Sequence, residues 1–173
     1  LMIQDVATHY GYSLDAFRTL PFTERRLLIA AYECDVLHVQ EQPRGTNRGA
    51  RIETYLKSVG LGGGYAWCAA FVTWCSKQAD SEYKCAPSPA MAASWLKFKP
   101  KSRKDVRRGD LGGFINPDGT GHVYLITYVE YNANREAVKV HTIEGNSNDE
   151  GSREGFEVCR RVRVWSDKMK FAG

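Results

Sequence analysis

The sequence predicts an α+β protein with its helices first and an antiparallel sheet after them. In the first half, apolar side chains recur at helical spacing, as in Cys68, Phe71, Val72, Cys75 and Ala79. From Gly109 onward the pattern changes to β-branched and aromatic runs set off by turn residues. At 173 residues the chain suits one hydrophobic core that needs no covalent staples.

In chain order, residues 1–40 read as an N-terminal helical extension packed on a main domain of residues 41–173, the two forming one compact unit. Thr23 is the expected N-cap of a helix carrying Leu28, Ala31, Tyr32, Val36 and Val39, with Cys34 and His38 as structural passengers. Gln42-Pro43-Arg44-Gly45-Thr46 breaks it. A second amphipathic helix buries Ile52, Tyr55, Leu56 and Val59 and stops at Gly60. Glu41, Asn47, Arg48 and Glu53 are expected to face solvent. After the Cys68 helix, Ser88-Pro89 opens a short helix through Trp95. Strands are expected at Asp110–Ile115, His122–Tyr131 and Arg135–Glu144, and at a later run with Phe156, Val158, Val162 and Val164. The segment Gly145–Gly155 between the last two is polar and glycine-rich.

A composition 43% hydrophobic and 25% charged is that of an ordinary globular protein. No apolar run is long enough to cross a bilayer. The opening Leu1-Met2-Ile3-Gln4-Asp5 shows no basic leader region or cleavage site, so it reads as the start of a processed or trimmed product. A net charge of +4 leans weakly toward anionic partners. Lys97, Lys99, Lys101, Arg103, Lys104, Arg107 and Arg108 form the densest basic run, either a docking surface for polyanions or a solvated loop. Without aromatic interleaving or a phosphate-binding glycine loop, it does not point to nucleic acid or nucleotides. Five cysteines cannot all pair within a monomer, and Cys68 is the natural free thiol.

Cys68 follows Gly62-Gly63-Gly64 and stands at the expected start of a buried helix. Unpaired N–H groups and the positive end of the helix dipole favour a thiolate there. A buried core cysteine is the alternative, and position alone leaves the two open. Its partners come from the hairpin. With a three-residue loop Asn132-Ala133-Asn134 centred on Ala133, residues whose numbers sum to 266 lie opposite one another, and His122 and Glu144 are such a pair. Directly opposite residues bring their Cβ atoms within about 5 Å on one face. Asn146 has the same parity. A one-residue slip would separate His122 from Glu144. A carboxylate that fixes an imidazole, whose other nitrogen serves a thiol, is the order nucleophilic acyl transfer requires. The residues alone leave a neutral cross-strand polar pair equally open. His141, of opposite parity, reads as structural, and His9 and His38 have no paired carboxylate. A zinc site of Cys68, His122 and Glu144 would use acceptable ligands but lacks a metal-site spacing, so neither metal nor cofactor is expected.

Gly64-Tyr65-Ala66-Trp67-Cys68-Ala69-Ala70-Phe71-Val72, Arg108-Gly109-Asp110, Gly121-His122-Val123 and Thr142-Ile143-Glu144-Gly145-Asn146 together resemble the CHAP domain. This cysteine- and histidine-dependent amidohydrolase/peptidase group lies within the papain-like NlpC/P60 superfamily. The resemblance spans about residues 41–165 and includes Asn47-Arg48-Gly49 and Ile52-Glu53 with Tyr55-Leu56. It implies a papain-like α+β fold and makes residues 41–173 the catalytic domain. It also implies Cys68 as nucleophile, His122 as base, Glu144 as the His-orienting acid, Asn146 as a fourth polar site residue, and Tyr65 and Trp67 as substrate contacts. Members mostly cut amide bonds in peptidoglycan, and some act on glutathionylspermidine. The expected function is therefore a cysteine peptidase or amidase on bacterial or phage-targeted cell wall, either an endopeptidase or an N-acetylmuramoyl-L-alanine amidase. Alternatives are an amidase on a small glutathione-like conjugate and a non-catalytic wall-binding module. The expected protein is a monomer, exported to the periplasm, cell surface or medium, with no leader visible in this chain. No acidic ladder of the kind that binds calcium in some phage members precedes Cys68.

Overall fold

In the computed structural model of the protein, which describes residues 2–147 and 155–173, helices fill the first half of the chain and strands the second. α1 (Met2–His9) and α2 (Leu14–Thr19) form where the sequence carries little periodic signal. Ser13 caps α2 by accepting a hydrogen bond from the Ala16 N–H. α3 (Phe22–Ala31) passes into a π-helical turn at Tyr32–Val36, replacing the single helix expected through Val39. Its N-cap is Pro21 rather than Thr23. Thr23 is instead pressed against Gly109, where an added Cβ would come within 2.6 Å of the threonine Cβ. Arg26, buried in the same seam, donates to the Gly109 carbonyl (2.6 Å) and to Ser76 (3.2 Å).

α4 (Ala50–Lys57) buries Ile52, Tyr55 and Leu56 as expected. Gly60 takes a φ of +81°, which lets the Leu61 N–H return to the Leu56 carbonyl and stop the helix. Glu33, on the π-helical turn, is fully buried. It accepts from Arg51 and from the Tyr55 hydroxyl, which anchors that turn to α4.

α5 (Cys68–Ala79) is the axis of the fold. Every residue from Cys68 to Ser76 is buried, with α3 and α4 on one side and β3 and β4 on the other. Its core joins Val6, Phe17 and Leu27 of the N-terminal helices to Phe71, Leu125 and Ile143. Each such large apolar side chain contributes roughly 1.5–3 kcal/mol by leaving water. α6 (Ala92–Phe98) starts later than Ser88-Pro89 predicted. Those residues form a turn in which the Met91 N–H bonds the Ser88 carbonyl, and the helix begins after it.

Among the described residues the strands are β1 (Pro100–Lys101), β2 (Leu111–Ile115), β3 (Gly121–Tyr131), β4 (Ala137–Ser147), β5 (Glu157–Val164) and β6 (Met169–Ala172). They form one antiparallel sheet in the order β1-β6-β2-β3-β4-β5. The α+β, papain-like class is as the sequence predicts. β1 and β6 are not, since both are too short to show alternation. Most of the glycine-rich segment between β4 and β5 lies outside the described residues.

The β3–β4 register corrects the expected hairpin. The loop runs from Asn132 to Glu136, because the Asn132 side chain accepts from the N–H groups of both Asn134 and Glu136 while Arg135 takes a left-handed φ of +61°. Leu125 then faces Ile143 and Ile126 faces Thr142. Glu144 is thus displaced by two residues from the position opposite His122. Two irregularities, at Ile126/Tyr128 and at Glu130/Tyr131, lie on opposite strands and cancel. Parity survives, and parity keeps both side chains on one face.

The basic run stays at the surface, with all but Arg103 exposed, yet four of its seven charges also tie the fold together. Lys101 donates to both oxygens of Asp110 (2.9 and 2.8 Å). Arg103 bonds the Ala137 carbonyl and covers the Trp165 ring. Arg107 bonds the Lys104 and Val106 carbonyls, and Arg108 pairs with Glu24.

Candidate active site

Cys68 is the first residue of α5 and is 6% exposed. The first internal bond of the helix runs from the Phe71 N–H to the Trp67 carbonyl (2.9 Å), so the N–H groups of Cys68, Ala69 and Ala70 precede the helical ladder. Those of Ala69 and Val123 donate to the sulfur. The approach depends on the glycines. Gly63 packs where an added Cβ would meet the Glu53 carboxylate at 2.6 Å, and Gly64, at φ +98°, bonds the Asn47 carbonyl through its N–H. On the other side, Gly145 lets β4 lie directly on α5. A Cβ there would sit 2.8 Å from Phe71 and 2.9 Å from Trp67.

His122, near the start of β3, bridges the site. Its Nε2 lies 2.7 Å from Glu144 Oε1. The ring also interacts with the Cys68 thiol, which favours its protonated form. Glu144 is fully buried and saturated. It also accepts from the Thr142 hydroxyl (2.6 Å) and, in a two-pronged pair, from Arg163 Nε and Nη2 (2.6 Å each).

Burial pushes the Glu144 carboxyl up, but Arg163 and then His122 outweigh it and hold the group well below the usual carboxylate range. Burial opposes the charged form of His122, yet the bonds to Cys68 and Glu144 prevail and raise it to about 9. Burial also opposes a Cys68 thiolate. The bond to His122, with the N–H groups of Val123 and Ala69, overcomes this and lowers the thiol below its ordinary value. Both shifts run toward a thiolate–imidazolium pair. Burial raises Cys34 to about 12 and also raises Cys75 and Cys85, and none of the five cysteines is in a disulfide.

Cys68 and His122 open into a cleft of about 580 Å³, together with Asn146, Asn47, Glu41 and Arg163. A somewhat larger depression of about 650 Å³ lies beside Tyr128, His141 and Arg160, and its described lining residues include no thiol. His141 belongs to that side, with Nε2 2.9 Å from Glu130. Asn146, held at φ +54°, lines the cleft with Cys68 and His122.

Two expected substrate contacts do not line the cleft. Trp67 is fully buried, so its side chain cannot touch a substrate, and its indole N–H donates to Glu41 Oε1 instead (3.0 Å). Tyr65 is 55% exposed, outside the lining residues. Glu41, expected to face solvent, is 3% exposed and lines the same cleft as Cys68. Arg163 carries no signal of its role in the sequence. The alternation Arg161-Val162-Arg163-Val164 shows an arginine face, but nothing local says which arginine meets which carboxylate. Among the described residues no group of three or more His, Cys, Asp or Glu side chains is arranged to hold a metal ion. The imidazole of His122 stands between thiol and carboxylate instead of converging with them on one point.

A protein-family model, the CHAP domain, matches residues 60–146, half of the chain. The match begins at the glycine approach to Cys68 and ends at Asn146, so it encloses the helix that Cys68 starts and the strands that carry the His122–Glu144 pair. No curated protein and no solved structure matches. The chain belongs to the CHAP family of cysteine- and histidine-dependent amidohydrolases and peptidases, hydrolases acting on amide bonds.

Proposed function

We propose that this amidohydrolase cuts an amide bond in bacterial peptidoglycan, with Cys68 as nucleophile, His122 as proton carrier, Glu144 as the group that orients it and Asn146 as a polar contact in the cleft. The observation that carries the assignment of roles is the double engagement of His122, with Glu144 on Nε2 and the Cys68 thiol interacting with the same ring. The family match supports the wall substrate.

In this reading the Cys68 thiolate attacks the carbonyl carbon and forms a C–S bond. The carbonyl π electrons move to oxygen, where N–H groups at the start of α5 stabilise the developing charge. The imidazolium of His122 gives its proton to the departing nitrogen as the C–N bond breaks, leaving a thioester. Neutral His122 then takes a proton from water, whose oxygen attacks the thioester and releases the acid and the thiolate. Glu144, fixed by Arg163, keeps the ring in the orientation both steps use. The expected place of action is the cell envelope.

The cut is expected either within stem or cross-bridge peptides or at the N-acetylmuramoyl-L-alanine bond. Mass spectrometry of fragments released from purified sacculi identifies it, since each bond leaves a different new amine. Release by the wild type and none by Cys68→Ala is the expected result. Equal release by both proteins would overturn the mechanism. Intact sacculi, together with hydrolysis of a small glutathione-like amide, would overturn the wall substrate.

A further inference from the structure

We infer that Glu41 selects the substrate: its buried, unpartnered carboxylate oxygen at the wall of the cleft receives a primary ammonium group of the molecule being cut. The inference rests on the reading of Cys68 as the nucleophile of this cleft.

Glu41 lines the cleft, yet its side chain is almost wholly withdrawn from solvent. One oxygen, Oε1, accepts the Trp67 indole N–H at 3.0 Å. The other, Oε2, is buried and has no hydrogen-bond partner among the described residues. Buried carboxylate oxygens are ordinarily satisfied, and one left open beside a reactive thiol points to a ligand. The carboxylate is also held in place. The Glu41 N–H bonds the Phe156 carbonyl (2.7 Å), the Gln42 N–H bonds the Arg48 carbonyl (2.9 Å), and the indole that grips Oε1 belongs to the residue just before Cys68.

Among the described residues, the cations around Glu41 have other partners. Arg163, which also lines the cleft, is committed to Glu144, and His122 is shared between Glu144 and Cys68. Nearby cations are engaged elsewhere: Arg48 with Glu53, Arg51 with Glu33, and Arg44 over the Phe156 ring at 3.6 Å. The other polar lining groups, among them Asn47, Asn116, Thr120 and Ser147, are neutral. A substrate ammonium supplies both the charge and the N–H that Oε2 lacks, in a charge-assisted bond. A substrate carboxylate at the same place is repelled.

Thiol-directed reagents test this whichever amide bond the enzyme cuts. Cys68 is modified with 2-aminoethyl methanethiosulfonate, a primary ammonium, and with its trimethylammonium analogue, which has the same charge and no N–H. Each rate is read at Cys68 by peptide mass spectrometry and divided by the rate of the neutral methyl reagent in the same protein. The aminoethyl reagent is expected to be favoured about tenfold in the wild type. Glu41→Gln still offers an oxygen to Trp67 but turns an N–H donor toward the cleft, and the ratio should fall to near one. A wild-type ratio near one overturns the role of Glu41 whether or not the variant folds, as does a ratio that Glu41→Gln leaves unchanged, the result expected if water alone serves Oε2. If the neutral reagent modifies Cys68 no faster than Cys85, the nucleophile assignment itself fails and takes this inference with it.

Discussion

Arg163 grips Glu144 from the neighbouring strand with two parallel hydrogen bonds of 2.6 Å, and Glu144 in turn holds His122 at 2.7 Å. The carboxylate that orients the imidazole is therefore itself oriented, and a fully buried negative charge is neutralised on the side away from the thiol. Glu144 makes its remaining bond to Thr142, two residues back on the same strand face. The site works as a chain of four side chains, Arg163–Glu144–His122–Cys68. In the proposed mechanism Arg163 and Glu144 act through position and charge, while His122 carries the proton and Cys68 supplies the nucleophile.

Removing the outer member should cost stability as well as turnover. Arg163→Ala leaves a buried carboxylate short of its strongest partner, a change expected to destabilise the protein by about 3–5 kcal/mol in urea unfolding. In a Glu144→Gln background the same substitution should cost far less, because the uncompensated charge is gone. Equal costs in the two backgrounds would show that the pair is not coupled.

Turnover should depend on one thiol and one imidazole. Cys68→Ala and His122→Ala should each lower kcat/KM on a defined peptide by at least about 10⁴-fold, and the double variant should be little worse than either alone. Glu144→Gln, which keeps an acceptor for the ring, should be milder than His122→Ala. Cys34→Ser and Cys85→Ser should retain most activity, since burial raises both thiols above an ordinary thiol while Cys68 is lowered. A loss in Cys34→Ser equal to that in Cys68→Ala would misplace the nucleophile.

The pH dependence follows from the direction of each shift. His122 is raised from an ordinary value of 6.5 to about 9, so its protonated form stabilises the folded state fully below about 6.5, and that contribution is lost as pH rises through about 9. Activity should fall over the same upper range as the leaving-group acid disappears. In Glu144→Gln the basic limb should move to lower pH, because the carboxylate helps to raise the imidazole. Glu144 is depressed, so its contribution is present above its ordinary value of 4.5 and fades as pH falls below it. NMR titration of the His122 ring, alongside a kcat/KM profile, reads both limbs. An unmoved basic limb in Glu144→Gln would separate the carboxylate from the ring's titration.

Charge reversals in the basic run should divide by structural role. Lys101→Glu breaks the pair with buried Asp110 and should cost about 2 kcal/mol, visible as a lower Tm. Lys97→Glu and Lys104→Glu should be close to neutral in stability. These two therefore test whether the surface helps to bind anionic sacculi at low salt, where screening is slight. If the Lys97→Glu, Lys104→Glu double variant binds as well as wild type in a low-salt pelleting assay, this stretch has no docking role.

The local sequence was enough to determine the order of helices and strands, the placing of Cys68 at a helix start and the parity that puts His122 and Glu144 on one face. Each depends on short-range rules: a 3.6-residue or two-residue period, a glycine approach, a turn cluster. Tertiary structure decided what those rules do not reach. Asn132 bonded two backbone N–H groups and moved the centre of the loop, and paired bulges then cancelled, so His122 and Glu144 sit two residues from the register expected and still meet. Arg163 reached Glu144 because β5 packs beside β4, which its spacing in the chain does not encode. Glu41 and Trp67 exchanged their expected places, the acid going inside to the cleft and the aromatic behind it. Their burial depends on where the chain before α4 crosses α5, and that crossing exists only after the core has closed.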